Sequence, residues 1–298
     1  KHGVASLAFS KDAQTLVSGG DDGEIKFWDV VSGRELKTLS GHKGAVHTIS
    51  WFEEGALLAS GSFSGEIMLW DTKTKTLLHQ FPSAEKPIYV VTFSQDGKQL
   101  ACAGEEGTIS LLDVPERKLL KTFSKHQQAI HTLAFSPKGQ FLASGSLDQE
   151  VKLWDITQVE PVQTFSEHKG TVWSVAFSAD SKFLASGGAD TLVRIRNVEF
   201  WTQRERPATE IKKSNEPLSS SRDTRSFPGH THGITSLLFS PNGRILVTGS
   251  EDFVTFFHKD FWFFFWVLIA GILISIVASV TPSLRAAHIT PADVLREI

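Results

Sequence analysis

The stretch "FSPKGQFLASGSLDQEVKLWD" (135–155) returns in related form elsewhere in this chain of 298 residues. "FSKDAQTLVSGGDDGEIKFWD" (9–29) and "FSADSKFLASGGADTLVRIRN" (177–197) keep its order of apolar, small and turn-forming residues. The last two residues of the stretch come back every 42 residues, at Trp28-Asp29, Trp70-Asp71, Leu112-Asp113, Trp154-Asp155 and Arg196-Asn197. A fixed period of this kind indicates one supersecondary unit repeated along the chain.

Each unit has the pattern of four short β-strands separated by polar turns. In the second unit the four segments are "AVHTISW" (45–51), "LLASGS" (57–62), "EIMLWD" (66–71) and "LLHQF" (77–81). Apolar residues at alternate positions with turn residues between the runs predict antiparallel strands. A period of roughly 40–45 residues with a Trp-Asp end is typical of a β-propeller. We therefore predict an all-β fold, a six-bladed propeller over residues 1–258.

The predicted blades have unequal completeness. Their approximate bounds are 1–41, 42–84, 85–126, 127–168, 169–228 and 229–258. A polar segment rich in Ser, Pro and charge, 199–223, is interpreted as a mobile insertion loop of blade five, which "TRSF" (224–227) then completes. Blade six is predicted to be incomplete, because no fourth strand follows "ILVTGSEDFVTFF" (245–257). We expect the ring to be closed or nearly closed.

Composition excludes several classes of function. The net charge is −3, which does not fit the basic footprint of a nucleic-acid-binding protein. One cysteine, Cys102, allows no intrachain disulfide and no cysteine-based metal site, so we interpret it as a buried structural thiol. No phosphate-binding loop, metal cluster or pair of catalytic carboxylates stands out from the repeats. The sequence predicts no enzyme activity, no catalytic residue, no metal and no cofactor.

The segment "FWFFFWVLIAGILISIVASV" (261–280) contains no charged residue. As a helix its 20 residues are about 30 Å long, which matches the hydrocarbon core of a bilayer. We predict a transmembrane helix at 261–280, in a plasma or inner membrane, followed by a short helical tail at 281–298. The alternative is a buried segment of the propeller. Basic residues flank the helix equally on both sides and leave the side of the propeller open.

A histidine, a hydroxyl residue and an aspartate recur at one spacing in three units. They are His126, Ser144 and Asp148, then His168, Ser186 and Asp190, then His230, Thr248 and Asp252. A catalytic triad needs one activated nucleophile, not a copy in successive blades. Here the chain resembles the WD-repeat family, and the resemblance implies a buried structural tetrad of His126, Ser144, Asp148 and Trp154.

By this resemblance the other units depart from the full tetrad. Blade two has Ser64 at the position of the aspartate, and blade five has Arg196 at that of the tryptophan. In blade three the corresponding residues are Cys102, Glu106 and Leu112. These departures put the rigidity of the three blades in doubt, and not their fold.

The same resemblance implies a partner-binding top face. It is built from inner-strand residues and from the residue before the tetrad aspartate, and it is assigned to His47, Phe63, Tyr89, Glu105, His131, Leu147, Trp173 and Glu251. Its aromatic residues are of the kind that dominate binding energy at interfaces. The alternative is that these rings pack within the blade edges. Other proteins or peptides are the predicted partners.

The end of the chain carries a second resemblance. In "RAAHITPADVLRE" (285–297), Thr290 and Pro291 are typical of a helix start. With the apolar helix before it, the segment 261–298 resembles the C-terminal end of MacB/FtsX-type ABC transporter permeases, which implies a cytoplasmic tail near an ABC ATPase. The predicted function is a membrane-anchored protein-interaction scaffold. The alternative is a component of such a permease, with other permease subunits or the ATPase as partners.

Overall fold

Strands form all the regular structure of the part of the chain described by the computed structural model, namely residues 3–52, 54, 56–82, 84–198, 224–250, 252 and 254–258. Within these ranges no helix is present, so the prediction of an all-β propeller-like fold is confirmed. No helix among these residues is long and apolar enough to cross a membrane. The insertion loop 199–223, the predicted transmembrane helix 261–280 and the tail 281–298 lie outside the described residues.

Within these described ranges, twenty-three strands form six antiparallel sheets, which we call blades one to six in chain order. Blade one contains β1 (Val4–Phe9), β2 (Thr15–Gly20), β3 (Glu24–Asp29) and β4 (Glu35–Ser40). Blade two contains β5 (Val46–Phe52), β6 (Leu57–Ser62), β7 (Ile67–Asp71) and β8 (Thr76–Phe81). Blade three contains β9 (Ile88–Phe93), β10 (Gln99–Gly104), β11 (Ile109–Asp113) and β12 (Lys118–Phe123).

The remaining blades follow the same meander. Blade four contains β13 (Ile130–Phe135), β14 (Phe141–Ser146), β15 (Val151–Asp155) and β16 (Pro161–Phe165). Blade five contains β17 (Val172–Phe177), β18 (Phe183–Gly188), β19 (Val193–Asn197) and β20 (Thr224–Phe227). Blade six contains β21 (Ile234–Phe239), β22 (Ile245–Ser250) and β23 (Val254–His258). The predicted strand at 224–227 is confirmed, since β20 pairs with β19.

The repeated Phe-Ser pair marks the turn between the first two strands of a blade. In blade one, Ser10 Oγ accepts the backbone N–H of Thr15 at 2.9 Å and donates to the Asp12 carboxylate at 2.6 Å. In blade five, Ser178 Oγ accepts the N–H of Phe183 at 2.9 Å. Such local side-chain bonds fix the turn and with it the register of the two strands.

The first strand of each blade is the inner one, and neighbouring inner strands contact each other from β1 through β5, β9, β13 and β17 to β21. Apolar clusters fill the space between the blades. One cluster joins Val17 and Phe27 of blade one to Val46, Leu58 and Met68 of blade two. Cohesion therefore comes mainly from burial of apolar surface between sheets.

The closed or nearly closed ring stays a prediction. In the described part of the chain, β21 and β1 lack the close contact that joins the other neighbouring inner strands. Between β1 and β21 the sheets are held together pair by pair through their inner strands.

Candidate functional site

Blade four joins a histidine, a serine, an aspartate and a tryptophan in one buried chain of hydrogen bonds. His126 lies with Nδ1 2.8 Å from the Asp148 carboxylate and Nε2 2.7 Å from Ser144 Oγ. The indole N–H of Trp154 donates to the same Ser144 oxygen at 2.9 Å. The carboxylate of Asp148 also accepts the backbone N–H of Gln127 at 2.9 Å. The four residues predicted as a tetrad therefore meet, and they tie β14 and β15 to the loop before β13.

The arrangement is unsuited to nucleophilic catalysis. Ser144 is completely buried, and its hydroxyl is engaged by both His126 and Trp154. A catalytic serine must instead present its oxygen to a substrate beside an oxyanion-binding site. The geometry supports a structural role for these residues.

Blade two has a complete tetrad, which corrects the assignment of Ser64 to the acidic position. Ser64 is exposed, and the carboxylate comes from Glu66 two residues later. Glu66 Oε2 lies 3.2 Å from His42 Nδ1 and accepts the backbone N–H of Lys43 at 2.8 Å. His42 Nε2 lies 2.6 Å from Ser60 Oγ, to which the indole of Trp70 also donates at 2.8 Å. The longer glutamate side chain reaches the place that aspartate fills in blade four.

Blade five replaces the tryptophan by an arginine that makes the corresponding bond. Arg196 is almost completely buried, and its Nη1 donates to Ser186 Oγ at 2.7 Å. Its Nη2 donates to the Glu167 carboxylate at 2.8 Å, and its guanidinium lies 4.8 Å from the ring centre of Phe165. The pairing with Glu167 compensates the buried positive charge. The departure at Arg196 therefore leaves the hydrogen bond to the serine in place.

A second arginine, missed by sequence reasoning, lies against the same tetrad. Arg194 Nη1 donates to the Asp190 carboxylate at 2.6 Å and lies 2.7 Å from His168 Nδ1. Burial lowers the pKa of His168, although Asp190 opposes the shift. The available signal was that Arg194 and Arg196 are two positions apart on β19, since alternate residues of a strand share a face.

In the remaining blades, the described residues form the tetrad only in part. In blade six, His230 lies 2.8 Å from the Asp252 carboxylate and 2.7 Å from Thr248 Oγ1. In blade one, Trp28 donates to Ser18 Oγ at 2.8 Å. Cys102 of blade three lies in an apolar cluster, and burial raises the pKa of its thiol to about 12. Such a thiol is inert at neutral pH.

We expect the stability of the propeller to fall in acid partly through Asp148. Burial alone would raise the pKa of Asp148, but its bond with His126 and two backbone N–H groups outweigh burial and lower the pKa from 3.8 to about 2. The resulting stabilisation is present above pH 3.8 and is lost as the pH falls through about 2. Urea unfolding of the wild type and Asp148→Asn should show a difference at pH 7 that shrinks at pH 3. A difference that is constant with pH would contradict this assignment.

His126, Asp148 and Glu150 lie close enough together to be considered as a metal site. Their ligand atoms are already engaged, however. Both nitrogens of His126 face tetrad partners, and Glu150 accepts a 2.6 Å hydrogen bond from the ammonium of Lys152. The cluster is therefore better described as part of the structural network than as a metal centre.

Four rings from four successive blades form a row at one end of the propeller, and we call this row the ring ladder: His47, Tyr89, His131 and Trp173. Ring centres are 5.4 Å apart for His47 and Tyr89, 5.0 Å for Tyr89 and His131, and 4.5 Å for His131 and Trp173. Tyr89 and His131 are stacked, with an angle of 7° between their planes. The ladder thus links the inner strands of blades two to five.

A strand irregularity places each ring. Each ladder residue follows the first residue of its inner strand, at a point where the pairing with the second strand shifts by one residue. A β-bulge leaves one residue unpaired and redirects its side chain. The bulge recurs at the same place in the four blades, so the rings emerge side by side at the same end.

Two other predicted residues contact the ladder. The phenol of Tyr89 donates to the Glu105 carboxylate at 2.6 Å, and the ring of Phe63 lies 6.3 Å from that of Tyr89. Leu147 is exposed at the position of blade four that corresponds to Phe63 and Glu105. Glu251 lies outside the described residues. The structure thus brings together six of the eight residues assigned to the top face.

The ladder is electrically neutral near pH 7. Burial lowers the pKa of His47 and of His131, and the charge of His47 lowers that of His131 further. Burial, with Glu105, raises the pKa of Tyr89 to about 12. The rings therefore offer an apolar surface, beside the carboxylate of Glu105.

Comparisons with known proteins agree with this geometry. One solved structure, titled "Crystal Structure of Mitotic Checkpoint Complex", contains a chain that matches at a TM-score of 0.71 and 25% identity, over 86% of this chain and 74% of that one. "Dynein assembly factor with WD repeat domains 1" of Danio rerio is 38% identical over 48 residues, which are 16% of this chain and 12% of that protein. "U3 snoRNP-associated protein-like YAOH" of Oryza sativa subsp. japonica is 44% identical over 48 residues, 16% of this chain and 9% of that protein.

These alignments span about a tenth of the length of the curated relatives. The family model "WD domain, G-beta repeat" covers far more of the chain. It matches residues 1–29, 33–71, 75–113, 117–155, 159–197 and 221–256. These six matches, together with the tetrads and the antiparallel blades, place the chain in the WD40 repeat family.

Proposed function

We propose that this propeller is a protein-interaction scaffold that binds a protein or peptide partner on its top face, through the ring ladder and Phe63. The observation that carries the proposal is the row of four rings, which crosses four blades at one end of the propeller. The blade interiors are stabilised by other residues, which form apolar clusters. Contact with a partner therefore explains why aromatic residues lie at the exposed ends of the strands.

The ladder has the properties of an interface core. Phe63 and Trp173 remain 55% and 37% exposed, so apolar ring surface is available to a partner. The hydrogen bond with Glu105 holds the ring of Tyr89, and stacking holds that of His131. Rigid aromatic side chains lose little conformational entropy on binding and are enriched among residues that dominate interface energy.

The neutral rings favour a partner segment with an apolar or aromatic side chain. Burial in the complex would keep His47 and His131 neutral, since desolvation already lowers the pKa of both. The carboxylate of Glu105 is exposed at the rim and suits a hydrogen-bond donor of the partner. The names of the relatives are consistent with work in assemblies, because one is called an assembly factor and another is called snoRNP-associated.

The proposed role is not enzymatic and involves no nucleic acid. It draws support from the buried hydroxyls of the tetrads and from the net charge of −3. Anchoring in a plasma or inner membrane by 261–280, and the resemblance of 261–298 to a MacB/FtsX-type permease, stay predictions from sequence. Both segments lie outside the described residues, and the family matches end at residue 256. No observation in the described part of the chain favours the permease alternative.

The double variant Tyr89→Ala/Trp173→Ala should lose partner binding while it keeps its fold. Removing two interface rings should lower the recovery of a specific partner about tenfold or more, since 1.4 kcal/mol already corresponds to a factor of ten. The measurement is quantitative mass spectrometry of proteins retained from a lysate of the source cells by the immobilised wild type and variant. A thermal melt of each protein accompanies it.

A matched control is Leu119→Ala/Leu120→Ala, which removes two exposed apolar side chains from the outer strand β12 of blade three. This control should retain partners as the wild type does. Equal recovery by the ring variant would contradict the proposal. A large fall in its melting temperature would show that the rings act mainly in packing between blades.

A further inference from the structure

A cavity of about 200 Å³ lies in blade three, beside the strands β10 and β11 and the residues between β8 and β9. Its wall is mainly apolar and includes Ile67 of blade two together with Ile88 and Leu119 of blade three. An apolar cavity of about 150 Å³ is already large enough to hold a benzene molecule. Protein interiors contain few voids larger than a water molecule, so a cavity of this size needs a cause in the sequence.

The cavity lies where other blades place the rings of their tetrads. The residues at the four tetrad positions of blade three all line it, namely Ala84, Cys102, Glu106 and Leu112. In blade four the first and last of these positions hold His126 and Trp154, whose ring centres are 6.2 Å apart. Alanine and leucine are much smaller than these two rings. Blade three therefore has a cavity where blade four has an imidazole and an indole.

The polar groups of the cavity wall are few, and they lie at different depths. The thiol of Cys102 is buried and donates to the backbone oxygen of Ser110 at 3.5 Å. The side chains of Glu106 and Lys86 are exposed and line the same cavity. In blade four the carboxylate at the position of Glu106 lies 2.8 Å from an imidazole nitrogen. The cavity thus combines an apolar interior with one carboxylate acceptor, and the opposite charges of Glu106 and Lys86 favour a neutral ligand.

We propose that this cavity binds a small neutral aromatic molecule, of one or two fused rings, that carries an N–H group. Its rings would pack on Ile67, Ile88 and Leu112, and its N–H would donate to the carboxylate of Glu106. Such a molecule has the chemistry of the rings that blades two and four supply from their own tetrads. Ligand sites are typically apolar cavities in which a few polar groups orient the ligand. No ring of the ladder lies in the wall of this cavity, so this binding is separate from partner binding on the top face.

Isothermal titration calorimetry of the full chain with indole tests the proposal. We expect saturable binding of one molecule with a Kd of about 1 mM or lower, which is a modest affinity for a ligand of about nine non-hydrogen atoms. Glu106→Ala should weaken the binding of indole at least about threefold, because it removes the acceptor of the N–H. The same substitution should leave the binding of indene unchanged, since indene has a CH₂ group in place of the N–H.

Two variants that fill the cavity should weaken the binding of indole at least about tenfold, because side-chain atoms take the place of the ligand. The first restores the residues of blade four, as Ala84→His/Cys102→Ser/Glu106→Asp/Leu112→Trp. The second is Leu112→Phe, a smaller change that keeps the other three residues. A thermal melt of each variant shows whether it is folded.

The matched control is Leu120→Trp, which adds a ring to β12 at a position that is 42% exposed and lies outside the cavity wall. This variant should bind indole as the wild type does. A lack of saturable indole binding by the wild type would overturn the proposal, and so would wild-type affinity in a folded variant with a filled cavity. An equal effect of Glu106→Ala on indole and indene would overturn the assignment of the N–H group.

Discussion

Trp154→Ala should lower the free energy of unfolding by about 3–5 kcal/mol, among the largest effects of any single substitution in this chain. Trp154 is completely buried, and its ring packs 5.3 Å from that of Phe123 across blades three and four. Its removal leaves a cavity and takes one partner from the hydroxyl of Ser144, which stays buried. Urea unfolding followed by far-ultraviolet circular dichroism measures the change without relying on the deleted indole.

Trp28→Ala is the matched control for this prediction. Trp28 has the same repeat position in blade one and donates the same kind of bond, to Ser18. It is partly exposed. We expect a loss of about 1–2 kcal/mol. An equal loss from the two substitutions would contradict the view that the closed tetrad and the packing between blades three and four make the contribution of Trp154 larger.

The strands could be predicted because their determinants are local. Alternation of apolar residues and the turn chemistry around Ser10 and Ser178 lie within a few residues of each strand. The predicted segments 57–62 and 77–81 agree with β6 and β8 to within a residue. Repetition of the same pattern in every unit averages out the uncertainty of any single one.

The residues that belong to each tetrad were harder to predict, because the position of a residue in the repeat does not show how far its side chain extends. Ser64 has the position of Asp148, but the longer side chain of Glu66 fills the space from two residues further along. By sequence, Arg196 departs from the tetrad because it is not a tryptophan. A guanidinium nevertheless presents several N–H donors, and one of them reaches Ser186.

The top face depends on contacts between blades. The period placed Tyr89 and His131 in one column, but their stacking follows from the spacing of inner strands and from the bulge that turns both rings outward. The exposure of Val4 and Leu7 has no local signature, since these residues look like their buried equivalents Val46 and Ile49. Only the absence of a packed neighbour distinguishes them in the described structure.

Glu66→Ala should lower the free energy of unfolding by about 2–4 kcal/mol, because it leaves buried donors without an acceptor. Glu66 is 3% exposed and accepts from the backbone N–H of Lys43 at 2.8 Å and from the hydroxyl of Ser62 at 3.1 Å. It also lies 3.2 Å from His42 Nδ1. Ser64→Ala, two residues away at the surface, should change the free energy of unfolding by less than about 0.5 kcal/mol.

A rescue experiment separates loss of the carboxylate from loss of packing. In the background of Glu66→Ala, Ser64→Asp places a carboxylate where Asp148 stands in blade four, 2.8 Å from its histidine. We expect this second substitution to recover about half or more of the lost stability, because it again supplies an acceptor for His42 and Lys43. Urea unfolding of the wild type, the two single variants and the double variant gives the coupling energy between the two positions. Additive effects, or a loss from Ser64→Ala as large as that from Glu66→Ala, would show that Glu66 does not act as the acidic member of the tetrad in blade two.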